Sequence, residues 1–347
     1  SQTIEQEAAM VKKAKSYKAG FVDLVIPGHI KDISGTYAFR ECKNLKTIVF
    51  EEGVESISGS YVFNSATAVE SVKFPSTMKS IGVGAFYANY ALASIEWGGL
   101  ESIGSSAFSA CMALEELEVP ATIKYVGGSA FHQCEGLKKV VIAAETIDHN
   151  AFSYCISLTD IEIKPTTTNW IGTGVFTDCD ALEHFTFPDH FTSTGEETLH
   201  YCDKLTTIDF ANIETIQNGC FAWCPSLTEI NIPGTVKTIE SNVFLACKNI
   251  TSIILNEGTE VICASLAHNK TTTLTIPASV KVMAGVFADE SSDTIYFKGD
   301  CPEFAEGEDY PWCGDTAATV YCPAAYYENF SAKRETHLGY YVTLVAY

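Results

Sequence analysis

The segment VPATIKYVGGSAFHQCEGLKKV (residues 119–140) is one copy of a phrase that recurs along the whole chain. Its centre is Phe131. The small Ala130 precedes it, Cys134 follows three residues later and Leu137 six residues later. The segment IPGTVKTIESNVFLACKNITSI (232–253) repeats the phrase around Phe244, with Val243, Cys247 and Ile250 in those places. Working outward, the same central residue falls at Phe39, Phe63, Phe86, Phe108, Phe131, Phe152, Phe176, Leu199, Phe221, Phe244, Leu266 and Phe287. The spacings run from 21 to 24 residues. A recurrence this even over 347 residues signals stacked copies of one small unit, so the length does not imply separate globular domains.

Each unit has a second apolar signature. Nine and eleven residues after the anchor come paired apolar side chains, such as Ile48 and Phe50, Leu117 and Val119, Ile161 and Ile163, or Ile230 and Ile232. They alternate with polar residues, which is the period of a strand, and β-branched and aromatic types dominate them. A proline or glycine then often ends the strand, as at Pro75, Gly98, Pro120, Pro188, Pro233 and Pro277. A further apolar pair, such as Val236 and Ile239, carries the chain across the far side. The anchor segment is expected to form a short helical or 3-10 turn, held by its packing because it is too short to stand alone. A period in this range with this leucine and isoleucine grammar predicts a leucine-rich repeat solenoid of the α/β horseshoe type. Its short strands would form a parallel concave sheet, with the turns on the convex side.

The phrase resembles the bacterial surface leucine-rich repeats of the BspA type, which read close to I-G-x-x-A-F-x-x-C-x-x-L-x-x-I-x-I-P. Here Ile81-Gly82, Ala85-Phe86 and Leu92 match it, as do Ile103-Gly104, Ala107-Phe108-Ser109-Ala110-Cys111 and Leu114. The resemblance covers about residues 27–297. Leu199 and Leu266 depart from the aromatic, and the last two units lose the aliphatic six residues on. The resemblance implies an extracellular or cell-surface protein that adheres to host or neighbouring-cell surfaces. The expected ligand is a protein or a glycan, extracellular matrix included.

The ends of such a stack must be covered, or the open core edge aggregates. Residues 1–26 read as an N-terminal helical cap. Within it Thr3 and Gln6 have capping-box spacing, and Gly20 is a stop. Residues 27–290 are the repeat array, and 291–347 a C-terminal cap with a degenerate repeat. In that cap the stretch 318–330 reads as a thirteenth strand and a short helix, and Trp312, Tyr326, Tyr327, Tyr340 and Tyr341 are expected to pack on the last turn. Eight of the 13 cysteines sit three residues after an anchor, with Asn89 and Asn269 taking the same place in two units. That column reads as buried thiols filling the core. Cys301, Cys313 and Cys322 are the candidates for a disulfide.

The formal net charge of −21 would repel a nucleic-acid backbone or an anionic membrane surface. No apolar run reaches the ~18 residues of a membrane span. The chain begins with Ser1, which fits a processed or trimmed chain and leaves targeting open. No catalytic motif is present, no His pair has metal-ligand spacing, and neither enzyme activity, metal nor cofactor is expected. The useful surface is the row of outward strand positions, where carboxylates gather. Its candidate binding residues are Glu96, Glu116, Glu118, Lys139, Asp160, Glu162, His184, Asp209 and Glu229. The reading is a non-catalytic binding scaffold that uses its concave sheet face, with the oligomeric state open and a monomer favoured. The alternative is a structural or self-associating envelope or spacer protein. An ordinary solvated sheet face would carry the same residues.

Overall fold

The computed structural model describes residues 9, 22–166, 171–263, 273–284, 294–305, 312–313, 317–339 and 341–347. The N-terminal cap helix expected at 3–19, the anchors Leu266 and Phe287, and Asn269 lie outside the described residues. Two compact units divide the chain, Ser1–Ala181 and Leu182–Tyr347, and each is a coil of parallel strands.

In the first unit the long strands sit where the period-two alternation falls. Val22–Ile26, Leu45–Phe50, Ser71–Lys73 and Ser94–Glu96 form one parallel sheet, and Glu116–Val119, Lys139–Ile142 and Asp160–Ile163 a second. Val22–Ile26 is already a rung, so the ladder begins ahead of the boundary read at residue 27. In the second unit His184–Thr186 pairs with Thr207–Asp209, and Glu229–Ile232 with Ser252–Leu255. Thr273–Ile276, Thr294–Phe297, Thr319–Cys322 and Thr343–Ala346 follow in one parallel sheet. The C-terminal segment therefore continues the ladder. The expected strand is Thr319–Cys322, the expected helix is Tyr327–Lys333, and Thr343–Ala346 is a further rung. Trp312 is fully buried there, with its ring centre 5.8 Å from that of Phe304, whereas Tyr326 and Tyr341 face solvent rather than the last turn.

A second ladder occupies the far side. Two-residue strands such as Ser56–Ile57, Ser80–Ile81, Ser102–Ile103, Tyr125–Val126 and Thr146–Ile147 pair in parallel, each isoleucine or valine buried. The glycine after the strand is set by the approach of the neighbouring coil. A Cβ on Gly104 would lie 2.6 Å from the carbonyl carbon of Gly82, a distance real Cβ atoms do not tolerate.

The anchor segment forms a third ladder, and here the structure differs from the helical or 3-10 turn expected. Alternate backbone N–H groups leave the turn and donate to the next coil: Phe86 to Ala107 at 2.7 Å, Phe108 to Ala130 at 2.8 Å, Phe131 to Ala151 at 2.8 Å. The intervening ones close tight turns, as where Cys134 N–H donates to the Phe131 carbonyl at 3.3 Å. The geometry needs left-handed backbone two residues before and two after each anchor. Ser106 and Ala110 flank Phe108 at φ 55° and 58°, and Ser129 and Gln133 flank Phe131 at 57° and 58°. Those residues break any helix, and only some of them are glycine.

The anchors themselves are fully buried and stacked. In the first unit ring centroids from Phe39 through Phe63, Phe86, Phe108, Phe131 and Phe152 to Phe176 follow at 4.8–5.8 Å. In the second unit Phe221 and Phe244 stack at 5.8 Å, and Leu199 is equally buried without a ring. The cysteine column does more than fill space. Six of its thiols donate to the anchor carbonyl of the preceding coil, among them Cys111 to Phe86 at 3.5 Å, Cys134 to Phe108 at 3.3 Å, Cys224 to Leu199 at 3.1 Å and Cys247 to Phe221 at 3.0 Å. Asn89 makes the same bond through Nδ2, to Phe63 at 2.9 Å, which explains why Asn can replace Cys there. All thirteen cysteines are thiols, Cys301, Cys313 and Cys322 among them.

Candidate functional site

The outward positions of the long strands are fixed by parallel pairing with a neighbouring strand and by burial of the alternate side chains. In Glu116–Val119 the pattern is exposed Glu116, buried Leu117, exposed Glu118, buried Val119. All nine candidate residues are exposed. In the first unit the register sets Lys139 between Glu116 and Asp160, with Val141 between Glu118 and Glu162. Lys139 Nζ lies 3.5 Å from Asp160 Oδ2. Two lysines that sequence reasoning left out enter the same face: Lys73 pairs with Glu96 at 2.8 Å and Lys164 with Glu118 at 3.7 Å. Glu96 hydrogen-bonding raises the Lys73 pKa. The acidic row is thus partly neutralised, and Glu116 has no ion pair among the described residues.

In the second unit the candidates do other work. His184 Nδ1 and Nε2 lie 2.6 Å and 3.0 Å from the hydroxyls of Thr207 and Thr186, which pin the ring flat along the strands. Asp209 Oδ1 accepts the Ala211 N–H at 3.1 Å and so closes a left-handed turn with φ 45°. Glu229 stands opposite Ser252 on the neighbouring strand.

A break in the long-strand ladder of the first unit creates a cleft; in the second unit Thr207–Asp209 and Glu229–Ile232 likewise do not pair with each other. Ser94–Glu96 and Glu116–Val119 are successive rungs of the first unit, yet they do not pair. The chain leaves the first of them through Trp97 and Gly98, and Gly98 is left-handed at φ 55°. The Trp97 indole N–H reaches across and donates to the Glu118 carbonyl at 2.7 Å. Its ring meets Phe108 edge to face, with centroids 5.8 Å apart. The fork so formed encloses about 420 Å³ and is lined by Ser94, Ile95, Trp97, Leu114, Glu116, Leu117 and Glu118, among others. Sequence reading took Gly98 for an ordinary strand end. The signal was Trp-Gly-Gly-Leu at 97–100, where neighbouring units carry a proline.

Among the described residues no group of three or more His, Cys, Asp or Glu side chains converges on a point that could hold a metal ion. The buried thiols are poor nucleophiles, since burial pushes Cys134 up to about 12. No helix among the described residues is long and apolar enough to cross a membrane.

Several solved structures are similar. A leucine-rich repeat protein from Bacteroides ovatus aligns with a TM-score of 0.65 at 19% identity, over 96% of this chain and 97% of that one. The pneumococcal vaccine antigen PcpA aligns with a TM-score of 0.50 at 17% identity, over 94% and 79%. A leucine-rich cell surface protein from Faecalibacterium prausnitzii gives a TM-score of 0.43 at 21% identity, over 82% and 81%. At these identities the first two speak for the fold alone. No curated protein matches the chain. The family described as BspA type leucine rich repeat region matches residues 12–138 and 145–275, in 6 copies. The anchors from Phe39 to Phe244 and the cysteine column from Cys42 to Cys247 lie in those two spans, and the chain belongs to the BspA-type leucine-rich repeat family.

Proposed function

We propose that this chain is a non-catalytic binding scaffold displayed outside the cell, which recognises a protein or glycan through the outward face of its long strands. The observation that supports this is the exposed, charged row on that face, borne by backbone tied to its neighbours through three ladders. A surface so preorganised loses little freedom on binding. Membership of the BspA-type repeat family supports the scaffold reading and the location. The test is a binding panel of extracellular-matrix proteins and cell-wall glycans against the whole chain. Charge reversal at Glu116, Glu118 and Glu162 should weaken any ligand found by tenfold or more. Unchanged binding in that variant removes the face from consideration.

A structural, self-associating role is the second reading. It draws on exposed aromatic side chains along the anchor turns, among them Tyr37, Tyr154, Tyr201 and Trp223. Light scattering across concentration separates the two, since a strict monomer with a foreign ligand excludes self-association.

A further inference from the structure

We infer that the fork between Ser94–Glu96 and Glu116–Val119 takes an extended polypeptide segment carrying a lysine or arginine, added as a short strand. The inference rests on the scaffold reading and names the ligand class for one part of that face. Its first support is the direction of the backbone. Ser94 N–H donates to Glu70 and Phe74 N–H donates to Glu96, so residues 94 and 96 spend their backbone groups on the preceding coil. In a parallel ladder successive residues point their N–H and C=O to opposite edges. Ile95 therefore turns both groups into the fork. On the other side Lys139 N–H donates to Glu115 and Ala143 N–H to Val119, which sends the backbone of Glu116 and Glu118 back into the fork. The Trp97 indole bond to the Glu118 carbonyl confirms that direction and satisfies that one acceptor. The groups left over, Ile95 N–H and C=O with Glu116 N–H and C=O, form two facing strand edges.

Unpaired edges of this kind recruit an extended chain, because main-chain hydrogen bonds supply affinity without regard to its sequence. Charge selects the side chain. Glu96 is neutralised by Lys73 and Glu118 faces Lys164, while Glu116 has no ion pair among the described residues. A cation above Glu116 completes the row in the way Lys139 does beside Asp160. Trp97 and Gly98 hold the fork open, since the indole stands where a backbone donor would otherwise close it. A neutral sugar would leave the facing backbone groups to water and Glu116 without its counter-charge.

The probe is a six-residue peptide of alternating valine and lysine, titrated into the whole chain, with Trp97 emission and backbone amide shifts as readouts. Its controls are the same peptide N-methylated at alternate residues and a neutral β-linked gluco-oligosaccharide. The plain peptide should shift the amides of Ile95 and Glu116, N-methylation should weaken it tenfold or more, and Glu116→Gln should do the same. Glu196→Gln, exposed in the second unit and outside the candidate row, should leave it unchanged. Equal binding of the N-methylated peptide overturns the inference, as does binding of the oligosaccharide alone or an absence of shifts at Ile95 and Glu116. A ligand from the panel whose binding survives Glu116→Gln would leave the scaffold reading in place and remove this one. A peptide seated in the fork with no panel ligand would keep this inference and remove matrix proteins and cell-wall glycans as ligands of the face.

Discussion

Replacing Phe108 by alanine should be among the most damaging single changes in the first unit. The ring is fully buried, stacks on Phe86 at 5.3 Å and Phe131 at 5.4 Å, and receives Trp97 edge to face at 5.8 Å. Removing a buried Phe side chain costs about 3–5 kcal/mol through lost burial and the cavity left behind. Each stacked neighbour adds about 0.5–1.5 kcal/mol beyond area. The bracket for Phe108→Ala is then about 4–8 kcal/mol. Phe39 is as well buried but stacks on one described ring only, Phe63 at 4.8 Å. Phe39→Ala should therefore cost less, by about 0.5–1.5 kcal/mol. A single unfolding transition is not assured in a stacked array, so the measurement is amide hydrogen exchange in both variants. Because each coil touches only its neighbours, loss of protection should centre on the coils of Phe86, Phe108 and Phe131. Equal costs at the two sites would refute the claim that the rings act as a column. So would a loss of protection spread evenly along the unit.

Three other outcomes test the same framework. Asn89→Cys should be neutral or stabilising by about 1 kcal/mol by amide hydrogen exchange, because the thiol renews the bond to the Phe63 carbonyl and removes the buried, unpartnered Asn89 Oδ1; Asn89→Ala should recover less. Ala110→Gly should stabilise by about 0.5–1 kcal/mol in the same assay, since glycine relieves the left-handed backbone at φ 58° by more than its added chain entropy costs. Burial pushes Cys134 and Cys220 up to about 12 from 9.0, so the folded chain holds protons that the unfolded chain releases first. Stability from these thiols is full below pH 9 and falls as pH rises from 9 towards 12, and at pH 8 a thiol reagent should label half-exposed Cys263 well before them.

The parts of the fold legible in the sequence are those where burial imposes chemistry on a fixed position. Phe108, Leu114, Leu117 and Val119 each sit in a column of apolar neighbours, and Cys111 in one that is cysteine in eight units, so the period writes them out. The short far-side strands were not legible as strands, because two residues such as Ser102–Ile103 carry no period. The tight turns around the anchors were missed for a different reason. Left-handed backbone usually announces itself by glycine, yet here Ser106, Ala110, Gln133 and Tyr154 adopt it, forced by the ladder of N–H groups to the next coil. Exposure of the nine candidate residues followed from strand alternation. Their partners did not, since Lys73 and Lys164 reach Glu96 and Glu118 from neighbouring or more distant coils. The fork depended on one unit departing from the common phrase, and a departure has no column to reveal it.

The three ladders meet each coil at equivalent backbone atoms, and little in them depends on which coil lies above. A duplicated or deleted unit would find its donors and acceptors waiting in register. Copy number is then nearly free to drift during evolution, while the surface row lengthens or shortens one rung at a time and the two ends stay as they are.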